Sequence, residues 1–138
     1  MRYVLIILSL LGIAASSLAL REHYRPYGES VCDINDHWDC GIVNHSPYAM
    51  LDGVPVADIG IGGYLLLLIL AIKRMYKTML LLAIPAVGFS IYLAHIEKDV
   101  LGVWCLYCAI SLGTISLMTV LLAIAGFPRA TRRAQPVK

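Results

Sequence analysis

Cys105-Leu106-Tyr107-Cys108 opens a long apolar run from Val103 to Phe127, and the only other cysteines are Cys32 and Cys40. A C-x-x-C whose first cysteine lies in the first turn of a helix carries both sulfurs on one face, three residues apart and close enough to form a disulfide. The helix N-terminus stabilises a thiolate through its dipole and unpaired N–H groups. At a membrane edge such a pair passes electrons between water-soluble thiols and a lipid-soluble acceptor.

The elements that must position these sulfurs are membrane helices. Apolar residues make up 59% of the 138-residue chain and charged residues 14%, with a mean hydropathy of +0.77; these values lie far from those of a soluble domain. Four apolar segments stand out, at 3–20, 58–72, 79–96 and 103–127. The first spans about 27 Å as a helix, near the hydrocarbon thickness, and the second is short unless it extends back through Val54–Ala57. The expected fold is an all-α four-transmembrane-helix bundle forming one membrane domain over residues 1–138. Pro85 with Gly88 predicts a kink in the third helix.

Charge sets the orientation. Arg2, Lys73, Arg74, Lys77, Arg129, Arg132, Arg133 and Lys138 fall at the N-terminus, between helices two and three, or in the tail, regions without Asp or Glu. All nine acidic residues and all four histidines lie in or beside the two other loops. By the positive-inside rule both termini are cytoplasmic and residues 21–57 and 97–102 face outward, toward the oxidising side where cysteines pair. Arg2, the first apolar stretch and the small residues around Ala14–Ala19 also resemble a secretory signal peptide, whose removal would leave three helices. The net charge of +2 is juxtamembrane and argues for contact with the lipid bilayer, not nucleic acid.

The outer loop, residues 21–57, reads as ordered. Ser46-Pro47 is a helix start and Gly53 a stop, which predicts a short amphipathic capping helix at about 47–52. A loop of this length buries no core of its own and must lean on the bundle. That brings Cys32 and Cys40 toward the C-x-x-C.

The order of these features resembles the vitamin K epoxide reductase family, in particular its bacterial homologues. The resemblance rests on Cys32 and Cys40 after helix one, then Ser46, then Ile59-Gly60 and Gly63-Tyr64 at the start of helix two, then Trp104-Cys105-Leu106-Tyr107-Cys108 opening helix four. It runs from the first helix to the last. It implies a four-helix bundle around a quinone (menaquinone, ubiquinone or phylloquinone), with Cys108 attacking the quinone and Cys105 as its resolving partner. Cys40 is then the shuttle that exchanges with Cys105, and Cys32 receives electrons from a periplasmic thioredoxin-like, DsbA-type protein. The implied activity is a quinone-reducing thiol oxidoreductase of the bacterial plasma membrane, supporting disulfide formation in exported proteins. Ser46, Asp58, Gly60, Gly63, Tyr64, Tyr92 and Leu112 are the candidate quinone contacts.

Vertebrate members carry a Tyr four residues after the second C-x-x-C cysteine, where this chain has Leu112. They also carry an Asn near the start of helix two, which here opens Pro55-Val56-Ala57-Asp58. Quinone reduction is therefore the expectation, and epoxide reduction is left open. Many bacterial members have a fused thioredoxin-like domain; this chain ends at Lys138, so its partner is expected to be separate.

Blander readings stand beside these. Cys32–Cys40 could be a structural clip contributing about 2–3 kcal/mol. The paired cysteines could carry a soft metal such as mercury, although a seven-residue gap is wide for a zinc site. His23, His37, His45 and His95 read singly as loop or interface residues, and Asp33, Asp36 and Asp39 as a solvated acidic surface. Gly60-Ile61-Gly62-Gly63 lacks the strand of a dinucleotide fingerprint and reads as a place where helices, or a flat ring, approach closely. Tyr64, Tyr92, Trp104 and Tyr107 fit an interfacial aromatic belt.

Overall fold

A computed structural model describes residues 1–26 and 28–133, and among them five α-helices. They are α1 (Arg2–Tyr24), α2 (Cys40–His45), α3 (Val56–Ile72), α4 (Tyr76–Ile96) and α5 (Leu106–Arg133). Lys138, one of the basic tail residues, lies outside the described residues.

The chain has three helices long and apolar enough to cross a membrane, within Arg2–Tyr24, Tyr76–Leu101 and Leu106–Gly126. The expected count of four spanning helices is met for these three. The fourth, α3, is apolar apart from Asp58 in its first turn but has 17 residues, about 26 Å of helix. It does reach back past residue 58, to Val56. Hydroxyls inside the apolar helices are satisfied by the preceding turn: Ser9 Oγ donates to Leu5 O at 2.8 Å, Thr114 Oγ1 to Ile110 O at 2.7 Å and Thr119 Oγ1 to Ile115 O at 2.7 Å. This local bond lets a polar residue sit in an apolar span at little cost.

Helix α1 packs on α3 and α5, and α5 also packs on α4. Small residues bring α1 and α3 together. A Cβ on Gly60 would come within 2.7 Å of Ser16 Oγ, and one on Gly12 would overlap the Tyr64 ring. Gly60 therefore admits a neighbouring helix, and the flat ring that approaches glycine does so at Gly12. The Tyr64 hydroxyl continues across to α5, donating to Ser111 O at 2.9 Å. Around it lies the apolar core, with Leu5, Leu8, Leu67, Leu70, Met79, Met118 and Leu122. A second cluster at the opposite end gathers Cys32, Cys40, Val43, Val103 and Cys105.

The outer loop differs from expectation in two places. Its helix is α2, at 40–45, where Asp39 Oδ1 accepts the Ile42 N–H at 2.8 Å as N-cap. The predicted capping helix at 47–52 is instead a 3₁₀ turn, Pro47–Ala49, followed by a hairpin of β1 (Met50–Leu51) and β2 (Val54–Pro55). Asp52-Gly53 forms the two-residue turn, both with positive φ (50° and 82°). Asp-Gly is the strongest short hairpin signal, because both positions favour φ > 0 and the resulting turn matches strand twist. Gly53 was a turn residue and not a helix stop.

Gly12→Ala should lower stability by about 1–3 kcal/mol, the usual cost of overpacking. Gly62→Ala, on the same helix as Tyr64 but with nothing within 4 Å, should not. Thermal unfolding in detergent would check the pair, and equal melting temperatures would refute the ring-on-glycine contact.

Candidate active site

The redox loop is pinned to the C-x-x-C by its backbone. Trp104 N donates to His37 O at 2.7 Å, and Asp39 N donates to Trp104 O at 3.0 Å. These two bonds, on a parallel bridge between Trp38 and Trp104, fix the residue before Cys40 beside the residue before Cys105. An Asx turn shapes the approach: Asn35 Oδ1 accepts the His37 N–H at 2.9 Å. Cys32 and Cys40 are joined by a disulfide with Cα atoms 5.7 Å apart.

The result is a close row of sulfurs. Cys105 Sγ lies 3.5 Å from Cys40 Sγ and accepts from Asn44 Nδ2 at 3.5 Å. Asn44 is held in turn by donating to Cys40 O at 2.8 Å. Cys105 and Cys108 are free thiols. Cys105 is fully buried and precedes α5, which starts at Leu106; the expectation that it sits in the first turn is off by one residue. Its N–H donates to Glu97 Oε2 at 3.1 Å. The Cys105 thiol is pulled below the ordinary thiol range because Cys108 donates to its sulfur, with Asn44 adding to the effect, against burial and the Glu97 charge.

Cys108 faces elsewhere. It lines a cavity of about 330 Å³ bordered by α1, α3, α4, α5 and the outer loop, within the size range of small-molecule sites. The walls are largely apolar, among them Val56, Leu66, Leu82, Ala86, Phe89 and Leu93. Of the sequence candidates, Ser46, Gly60, Gly63 and Tyr64 line this cavity; Asp58, Tyr92 and Leu112 do not. Asp58 and Tyr92 are exposed, the latter stacked 6.3 Å from Phe89. Tyr107 also lines the cavity. Cys32, expected to be the outermost sulfur, is buried, while its neighbours Val31 and Ile34 are 77% and 66% exposed.

Two residues at this site escaped the sequence reading. Asn44 follows Cys40 by one helical turn, a relation visible only once Asp39 is read as an N-cap. Glu97 was counted among the outer-loop acids, yet it is 4% exposed. His23 and His45 read as loop residues, and they tie the loop to α1: His23 Nδ1 is 2.5 Å from Asn44 O, and His45 Nε2 is 2.9 Å from Arg25 O.

The vitamin K epoxide reductase family model matches residues 3–124. The chain belongs to this family. Four cysteines, in the order loop pair then C-x-x-C, sit within the matched span. No curated protein matches the chain. Family membership makes it a membrane oxidoreductase of the thiol and quinone class, consistent with its apolar helices. Among the described residues no group of three or more His, Cys, Asp or Glu side chains is arranged to hold a metal.

The lowered Cys105 thiol gives a measurable sign. A depressed pKa means the thiolate persists to lower pH than an ordinary thiol allows. The first thiolate to appear in an ultraviolet absorbance titration should do so below the ordinary thiol range. Cys108→Ala should move that midpoint up, and Cys108→Ser, which keeps a donor, should move it less. A midpoint indifferent to both would remove Cys108 as the cause.

Proposed function

We propose that this protein is a thiol:quinone oxidoreductase that relays electrons from a thioredoxin-like partner through Cys32 and Cys40 to Cys105 and Cys108, and on to a quinone in the cavity. The observation that carries this reading is the split orientation of the C-x-x-C: Cys105 Sγ is 3.5 Å from Cys40 Sγ while Cys108 lines the apolar cavity. One sulfur meets protein thiols and the other meets a lipid-soluble ring.

In the forward direction the partner reduces Cys32–Cys40. The Cys40 thiolate then attacks Cys105 of an oxidised C-x-x-C, freeing Cys108, and Cys32 resolves the mixed bridge by attacking Cys40. The arrangement with the loop pair oxidised and the C-x-x-C reduced is the state that follows this transfer. Cys108 then delivers the electron pair to the quinone, and Cys105 closes the disulfide. The largely apolar walls suit a ring and its isoprenoid tail. Cys32 is buried in this state, so the segment around Val31 and Ile34 must lift for the partner to reach it.

All four helices α1, α3, α4 and α5 cross the plasma membrane of a bacterial cell in this reading, with both termini cytoplasmic and the cysteines on the outer side. The basic residues Lys73, Arg74 and Lys77 at the α3–α4 turn support that orientation. In a background lacking the four native cysteines, Glu29→Cys should react with an impermeant thiol reagent on intact cells and Lys73→Cys should not. The reverse pattern would place the sulfurs in a reducing compartment and end the proposal.

Cys108→Ala should abolish quinone reduction, even by a small permeant dithiol, while the protein still inserts. It should also accumulate a Cys40–Cys105 bridge, because Cys105 can no longer close its own disulfide. Mass spectrometry of non-reduced peptides detects that bridge. Normal dithiol-driven turnover in the variant would sink the role given to Cys108.

A further inference from the structure

Glu97 is the charged group at this site that the relay leaves without a task. It opens a five-residue π turn, Glu97–Leu101, that ends at Gly102 with φ +70°. Its neighbours Lys98 and Asp99 are exposed, whereas Glu97 is turned inward and lines the cavity beside Cys108. One carboxyl oxygen accepts the Cys105 N–H at 3.1 Å, and the carboxylate shares the cavity wall with the Cys108 thiol. The bland account is that Glu97 caps α5. A cap for one N–H needs no charge, however, and a glutamine would serve at a smaller desolvation cost. What the cap leaves unexplained is a buried carboxylate bonded to the C-x-x-C backbone and open to the cavity that Cys108 lines.

We propose that Glu97 is a catalytic residue: it takes the proton of the Cys108 thiol as that sulfur becomes nucleophilic, and returns it to an oxygen of the reduced quinone. The inference rests on the thiol:quinone reading above. Two electrons leave the C-x-x-C for the ring, an S–S bond forms between Cys105 and Cys108, and two protons end on the two ring oxygens. One is the Cys108 proton, carried by Glu97. The other replaces from water the proton that Cys105 gave up on becoming a thiolate. Glu97 ends the cycle as a carboxylate, as it began.

Glu97→Gln tests this, since the amide oxygen can still accept the Cys105 N–H and the volume is kept. Dithiol-driven quinol formation should fall about 100-fold or more in kcat, within the range for losing a general acid–base group, with the KM for quinone little changed. In the Glu97→Gln, Cys108→Ala double variant the Cys40–Cys105 bridge should form as in Cys108→Ala alone, showing that exchange and fold survive. A readout independent of turnover is the infrared S–H stretch that disappears in Cys108→Ala. In the reduced wild-type protein it should be lowered by the carboxylate, and Glu97→Gln should shift it toward the free-thiol position. Wild-type turnover in Glu97→Gln, loss of the trapped bridge, an unmoved S–H band, or a loss confined to KM would each overturn the role. A wild-type protein that reduces no quinone would instead overturn the underlying reading, and this one with it.

Discussion

Two backbone hydrogen bonds hold the site together. Trp104 exchanges them with His37 and Asp39, and everything that touches the sulfurs follows. The bridge sets Cys40 one residue after Asp39 and Cys105 one residue after Trp104, so the two side chains emerge next to each other. It also buries backbone polar groups that a loop of this size could not otherwise satisfy. The disulfide and the Asp39 cap then fix α2, and α2 delivers Asn44 to the Cys105 sulfur. A redox pair that must exchange with another needs both proximity and freedom to move, and a two-bond bridge is a weak enough tether to supply both.

A second constraint is the single proton of Cys108. It lowers the Cys105 thiol by donation to that sulfur, and the Glu97 carboxylate lies on the same cavity wall. Donation to Cys105 favours a thiolate facing the shuttle pair. In the proposed mechanism, transfer to Glu97 readies Cys108 toward the cavity. The C-x-x-C thus presents two sides of one short segment, in surroundings where charge is poorly screened.

The bundle beneath supplies rigidity. Gly12 and Gly60 let α1 and α3 close on each other, and Tyr64 spans from Gly12 to Ser111. Small residues and internal hydroxyl bonds are what hold helices in contact when lipid tails compete equally for apolar side chains. The packed core lies at one end and the sulfur cluster at the other. The cavity is the space left between them.

Sequence alone determined the membrane class, the helix order, the family and the four cysteines of the relay proposed above. Hydropathy is a sum over local residues, and cysteine spacing is countable. The Asp52-Gly53 hairpin and the Asp39 cap were equally local and legible, but Ser46-Pro47 offered a competing helix start. Only the tertiary structure decided which sulfur meets which neighbour. The Trp38–Trp104 bridge joins segments more than sixty residues apart, and no periodicity encodes such a pairing. Glu97 shows the same limit: a carboxylate among exposed charges reads as solvated until a π turn directs it inward onto Cys105 and Cys108.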